Sequence, residues 1–274
     1  MNIHTTLISG AGNTFHVYFL DDGIEKIQQK ISIRDMVTSI CRKNPADGFI
    51  FLERGSKTER GSYNPDNEFT WYFFNNDGSD AEMCGNAARC VGHFVSEKLK
   101  NNRPTFLLHT QAGPVMISRG TVQLTMPSTG KLMFEIQMTP LKRLQHKDYF
   151  YCDTGVPHVV IPISNINRYP MMKNFCVEIR EHLDFQPRGA NVTLIDTTNP
   201  EKISAVTFER GVEDFTQACG TGAVAAGFYL WEKMGRHRSQ IYMPGGLLEI
   251  NLENLSQPKM VGPTEKLGEF DYEF

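Results

Sequence analysis

The feature that most constrains this 274-residue chain is a single distant repeat built around two Cys-Gly pairs. The first copy runs Trp71-Tyr72-Phe73-Phe74, then Asn75-Asn76-Asp77-Gly78, then Ser79-Asp80-Ala81-Glu82-Met83, and reaches Cys84-Gly85-Asn86-Ala87-Ala88. The second runs Val206-Thr207-Phe208-Glu209, then Arg210-Gly211-Val212-Glu213-Asp214, then Phe215-Thr216-Gln217-Ala218, and reaches Cys219-Gly220-Thr221-Gly222-Ala223. Both spell an aromatic strand, a glycine turn, an acidic patch and an alanine-rich helix opened by Cys-Gly. Each helix is followed by strand, glycine turn and strand: Phe106–His109, Ala112-Gly113 and Pro114–Ile117 in one copy, Gln240–Met243, Pro244-Gly245-Gly246 and Leu247–Asn251 in the other. Upstream, Ser9-Gly10-Ala11-Gly12-Asn13 before an apolar strand faces Thr154-Gly155-Val156-Pro157-His158 before Val159-Val160-Ile161. Matched landmarks in one order predict two α/β halves of like architecture. Residues 1–128 hold Cys84 and residues 129–264 hold Cys219, divided near Ser128-Thr129-Gly130.

The helices differ in how deeply they are expected to sit. From Gly85 to Leu99 the apolar residues fall at 87, 88, 91, 94, 95 and 99, the period of an α-helix. Gly222 to Met234 is apolar almost all round, as in a helix buried on most sides, and Gly235 is its natural stop. Short strands with Gly, Pro and Asn-Pro turns are expected to wrap both. Ile24–Ile40 reads as a further, amphipathic surface helix.

A cysteine at a helix N-terminus meets unpaired backbone N–H groups and the positive end of the macrodipole, which lowers its pKa. The glycine after it lets an anion come close to those N–H groups. One such place suggests a nucleophile or an anion pocket. Two in related domains suggest a substrate held between two thiols. Removing the α-proton of an amino acid spreads charge onto its carboxylate, and two helix starts aimed there are fixed donors where that charge develops. Inversion needs a base on one face of Cα and an acid on the other. With each sulfur about 3–3.5 Å from Cα, the sulfurs lie roughly 7 Å apart, too far to form a disulfide.

Composition narrows the alternatives. Forty per cent hydrophobic and 22 per cent charged residues fit a soluble globular protein. The formal net charge of −3 argues against a nucleic-acid partner. No apolar run approaches the roughly 20 residues of a membrane span. Met1-Asn2-Ile3-His4-Thr5-Thr6 has no basic region followed by an apolar core, so no signal peptide is expected and the location expected is cytoplasmic. The six cysteines lack the density of a disulfide scaffold. Cys84, Cys90 and His93 could be grouped as zinc ligands, but residues six apart on a helix face opposite ways, so no metal is expected.

Asp77-Gly78-Ser79-Asp80-Ala81-Glu82-Met83-Cys84-Gly85-Asn86-Ala87-Ala88-Arg89-Cys90 and Thr216-Gln217-Ala218-Cys219-Gly220-Thr221-Gly222-Ala223 resemble the two signature blocks of the diaminopimelate epimerase family. Gly10–Phe15, Gly155-Val156-Pro157-His158, Asn191, Glu209-Arg210-Gly211 and Pro244-Gly245-Gly246 match it in the same order across nearly the whole chain. The resemblance implies an α+β fold of two pseudo-symmetric domains, each a mostly antiparallel curled β-sheet around a central helix, with the tail 265–274 returning to the first. It implies cofactor-independent interconversion of LL- and meso-2,6-diaminopimelate, for lysine and peptidoglycan synthesis, by a homodimer. Cys84 and Cys219 would then be base and acid, and the N–H groups of Gly85-Asn86 and Gly220-Thr221 would bind the reacting carboxylate. Asn13, Asn75, Asn191 and Arg210 would position the substrate, Glu209 would take an ammonium group, and His158 and Glu209 would tune the thiols. Without the resemblance, Asn13 and Asn75 fit turn residues equally well, His158 a satisfied loop histidine and Glu209-Arg210 a surface ion pair. Arg89 reads as structural.

Two departures bear on substrate range. Val156 stands where the family usually has asparagine, and Gly48 where many members have glutamine. Both amides serve the non-reacting end of the substrate, and losing hydrogen-bond readout relaxes discrimination. Slower action on other amino acids with acidic or polar side chains is therefore expected. A proline or hydroxyproline racemase is the nearest rival, and Asn86 and Gln217-Ala218 count against it. A cysteine hydrolase needs only one thiol with His158, and a pyridoxal-phosphate racemase needs a lysine that neither block contains. A non-catalytic amino-acid-binding protein would share the same pocket composition.

Overall fold

The computed structural model describes residues 1–55, 67–100, 103–120, 131–187 and 189–274. The chain forms two structural units, Met1–Ile136 together with Pro263–Phe274 in one and Gln137–Gly262 in the other. The division expected at Ser128-Thr129-Gly130 lies outside the described residues.

The first unit contains β1 (Asn2–Gly10), β2 (Asn13–Phe19), α1 (Glu25–Gln28), α2 (Ile33–Lys43), β3 (Gly48–Arg54), β4 (Glu68–Asn75), α3 (Gly85–Glu97), β5 (Thr105–Thr110), β6 (Gly113–Arg119) and β7 (Leu132–Gln137). Its sheet runs β1 to β7 in chain order. The pairs β1–β2, β3–β4 and β5–β6 are antiparallel, whereas β2–β3 and β4–β5 are parallel. A parallel pair needs a crossover, usually helical. Here α2 makes the first crossover and α3 the second. α3 packs on β1, β2 and β6, and ten of its thirteen residues are buried, so the sheet curls about it. β3 is buried along nearly its whole length: Met36, Val37 and Ile40 of α2 join Phe49 and Phe51 in one apolar cluster.

The second unit contains β8 (Lys142–Leu144), β9 (Phe150–Asp153), β10 (Pro157–Ile163), α4 (Lys173–Glu181), β11 (Asn191–Asp196), β12 (Ile203–Glu209), β13 (Asp214–Phe215), α5 (Gly220–Met234), β14 (Arg238–Met243), β15 (Gly246–Asn251) and the start of β16 (Lys259–Glu273). The order of senses is the same: β9–β10 antiparallel, β10–β11 parallel, β11–β12 antiparallel, β12–β14 parallel, β14–β15 antiparallel. α4 and α5 are the crossovers, α5 packing on β9, β10, β11, β12, β14 and β15. α5 ends at Gly235, whose φ of 67° only glycine adopts freely. The repeat seen in the sequence is therefore a repeat of topology. β16 leaves the second unit and its far part pairs antiparallel with β1, Thr264 through Glu273 against Gly10 through Asn2.

One expected element is divided. The helix foreseen over Ile24–Ile40 is two helices, because Ser32 caps a new N-terminus, its Oγ accepting from Asp35 N at 3.3 Å. No helix among the described residues is long and apolar enough to cross a membrane.

Candidate active site

The second crossover helix of each unit, α3 or α5, opens in the same way. Cys84 is the N-cap of α3, with extended φ/ψ of −143° and 122°, and Ala88 N donates to its carbonyl at 2.9 Å. Cys219 is the N-cap of α5, at −97° and 109°, and Ala223 N donates to its carbonyl at 2.9 Å. The N–H groups of Gly85-Asn86 and of Gly220-Thr221 are thus the first of each helix and have no carbonyl one turn back to bond.

In the first unit the β1–β2 turn brings Asn13 to α3, where Asn13 Oδ1 accepts from Asn86 Nδ2 at 2.7 Å. Asp47, just before β3, accepts from Asn13 Nδ2 at 3.3 Å and from Thr14 N at 2.8 Å. Asn75, the last residue of β4, is exposed and donates from Nδ2 to Ser79 Oγ at 3.0 Å. Gly48 pairs with Asn75 across β3–β4. A Cβ there would lie 2.6 Å from Phe74 O and 2.9 Å from Phe73 Cε2, so this backbone has no room for a side chain.

In the second unit, strand register assembles the site. The parallel pair β10–β11 sets His158 beside Asn191, and the antiparallel pair β11–β12 sets Thr193 opposite Thr207. Arg210 N donates to Asn191 Oδ1 at 2.8 Å, so the end of that amide facing His158 is Nδ2, 3.3 Å from Nε2. Nε2 is therefore bare, and Nδ1–H donates to Thr193 Oγ1 at 2.9 Å, which lies 3.1 Å from Thr207 Oγ1. Burial, reinforced by the Arg210 charge, pulls the pKa of His158 down to about 3, which keeps the ring neutral. Thr221 Oγ1 lies 3.0 Å from Nε2 and 3.3 Å from Cys219 Sγ. His158 thus reaches Cys219 through a hydroxyl. The Glu209 carboxylate acts on Cys219 directly, and Thr216 Oγ1 donates to that carboxylate.

The thiol of Cys219 departs from expectation. A helix start was expected to lower its pKa. Gly222 N, 3.4 Å from Sγ, and the Thr221 hydroxyl do act that way. Burial and then the negative charge of Glu209 outweigh them and raise the thiol well above its ordinary value. Burial also raises Glu209. Cys219 is therefore a protonated acid in the ligand-free protein. Gly222 permits this packing: a Cβ on it would fall 2.0 Å from Thr207 Oγ1.

Thr193 and Thr207 stand outside both signature blocks, and β11–β12 register brings them to the site, whereas Thr216 opens the second block. Val156 is half-buried, its carbonyl accepting from Thr154 N at 3.1 Å.

Fold and site define a class: α+β proteins of two like units, each with a cysteine capping its second crossover helix. A phenazine biosynthesis protein of the PhzF family from Bacillus anthracis shares the fold, with a TM-score of 0.72 over 100% of both chains at 16% identity. The diaminopimelate epimerase family model matches residues 8–132 and 150–267. The diaminopimelate epimerase of Aquifex aeolicus (strain VF5) is 34% identical, covering 80% of this chain and 77% of that one. That of Hydrogenobaculum sp. (strain Y04AAS1) is 34% identical over 96% of each. The chain belongs to the diaminopimelate epimerase family and is an isomerase.

Proposed function

We propose that this isomerase epimerises LL-2,6-diaminopimelate to the meso form without a cofactor, Cys84 and Cys219 serving as base and acid on one Cα. The observation that carries the reading is the duplicated N-cap: in each unit a Cys-Gly pair opens the second crossover helix. The substrate α-carboxylate accepts from the N–H groups of Gly85-Asn86 and Gly220-Thr221, which hold the charge that develops as the C–H bond breaks. One thiolate takes the α-proton, and the electron pair delocalises into the carboxylate. The other thiol returns a proton to the opposite face, leaving the two sulfurs in exchanged protonation states. The protonated Cys219 of the ligand-free protein fits the donor role when Cys84 is the base, and the reverse direction exchanges them. Asn13, Asn75, Asn191 and Arg210 position the substrate, with Arg210 as a fork for the distal carboxylate. Glu209 and His158 set the proton on Cys219. Val156 and Gly48 remove two amides from the distal end, so slower turnover of other amino acids with acidic or polar side chains belongs to the same reading.

The test is solvent-deuterium uptake at Cα with diaminopimelate and a panel of acidic and polar amino acids. Label is expected in diaminopimelate first and more slowly in some of the panel. Cys84→Ala and Cys219→Ala are each expected to abolish inversion. Full activity in either single variant refutes the two-thiol assignment, label in diaminopimelate alone refutes relaxed specificity, and no label anywhere identifies a binder.

A further inference from the structure

α3 buries a full charge on the helix that Cys84 caps: Arg89 has no exposed surface. A guanidinium has five N–H donors and no acceptor. Its Nη2 donates to Asn86 Oδ1 at 2.6 Å, across the three-residue spacing that places both on one helix face. That contact commits the Asn86 carboxamide, whose Nδ2 donates to Asn13 Oδ1 at 2.7 Å. Asn13 is committed in turn, and its Nδ2 donates to Asp47 Oδ2 at 3.3 Å. A chain with a donor-only group at one end and an acceptor-only group at the other has a single hydrogen direction. It joins α3, the β1–β2 turn and the segment before β3, and its two amides belong to residues the proposed function assigns to the substrate, Asn13 by its side chain and Asn86 by its backbone N–H.

We propose that Arg89 is a positioning residue of the first half-site: it fixes the orientation of Asn86 and Asn13 and sets a buried positive charge on the helix that Cys84 caps. The inference rests on the two-thiol reading above. Replacing buried ion-pairing groups by apolar residues of similar size often leaves a fold as stable or more so, so fold stability alone is a poor reason to keep a guanidinium here. Burial pulls its pKa down to about 10, against the opposing attraction of Cys90 and Cys84. Cys90, on the same helix, is held as a thiol by burial, its Sγ donating to Ile8 O of β1 at 3.6 Å. Asp47 is the charged group on the β3 side.

The test uses the full chain with Arg89→Met, Arg89→Lys and Asp47→Asn. Mass spectrometry follows alkylation of Cys84 by iodoacetamide against pH without substrate, and kcat and KM are read from Cα deuterium exchange. Arg89→Met is expected to raise the alkylation midpoint by about one pH unit and to lower kcat/KM about 100-fold. Arg89→Lys restores the midpoint but not the reach and planar geometry of the Nη2 donor, and keeps a KM about tenfold high. Asp47→Asn, at the exposed end of the chain, leaves the midpoint in place and raises KM. An unmoved midpoint in Arg89→Met overturns the electrostatic part, and wild-type KM in both Arg89→Lys and Asp47→Asn overturns the positioning part. If Arg89→Met does not fold, those two KM values decide. Because alkylation needs no substrate, a shifted midpoint without exchange on any amino acid rejects the proposed function and leaves the Arg89 effect standing.

Discussion

Acidification should destabilise the protein through His158, and the size of the effect follows from where the ring sits. His158 is fully buried and its pKa falls from 6.5 to about 3 because burial disfavours the imidazolium. The unfolded chain takes up a proton near pH 6.5 that the folded chain refuses until about pH 3. Between those values the unfolded state binds more protons, so stability falls as pH falls. The contribution is fully present above the unfolded pKa and lost progressively below it, at about 1.4 kcal/mol per pH unit. Going from pH 7 to pH 5 should therefore cost about 2 kcal/mol through this one side chain. Urea unfolding of wild type and His158→Gln at the two pH values measures it. His16 and His93 are also lowered by burial, but they are common to both proteins and cancel in the difference. The wild type should lose about 2 kcal/mol more than the variant over that interval. Equal losses would show that His158 is protonated in the folded state, and the hydrogen directions from Asn191 to Thr207 would then be wrong.

Two further perturbations test the same half of the molecule. Gly222→Ala puts a Cβ 2.0 Å from Thr207 Oγ1, so either the strand or the helix start must move by about an ångström. A loss of about 3 kcal/mol is expected by calorimetry, partly recovered by Thr207→Ala in the same chain, and a variant as stable as wild type would refute the close packing. Glu209→Gln removes the charge that raises Cys219 without removing its burial, so the thiol should ionise about one pH unit lower or more. Thiolate absorbance against pH checks this. An unchanged Cys219 midpoint would mean that burial alone sets its proton.

Much of the molecule was legible because its signals are local. A Cys-Gly pair before an alanine run marks an N-cap wherever it stands, and both thiols are found capping helices at the expected residues. The duplicated landmarks likewise translate into a duplicated order of parallel and antiparallel pairs, because a helix between two strands of one sheet is a crossover. The division at Ser32 was harder to see, since a single capping serine inside an amphipathic run breaks a helix without breaking its apolar period. Thr193 and Thr207 were invisible for a different reason: fourteen positions apart in the chain, they meet only because Asn191 pairs beside His158 and β12 returns along β11 in one register. The proton on Cys219 differs from what the motif predicts for a physical reason. A motif reports the helix start, which favours a thiolate through Gly222 N–H. It does not report how much water the surrounding strands remove, nor that Glu209 at the end of β12 brings its carboxylate to the sulfur. Burial and a like charge act in the same sense, and together they exceed the helix start. The same residues that make Cys219 look like a nucleophile in sequence therefore hold it, once folded, as an acid.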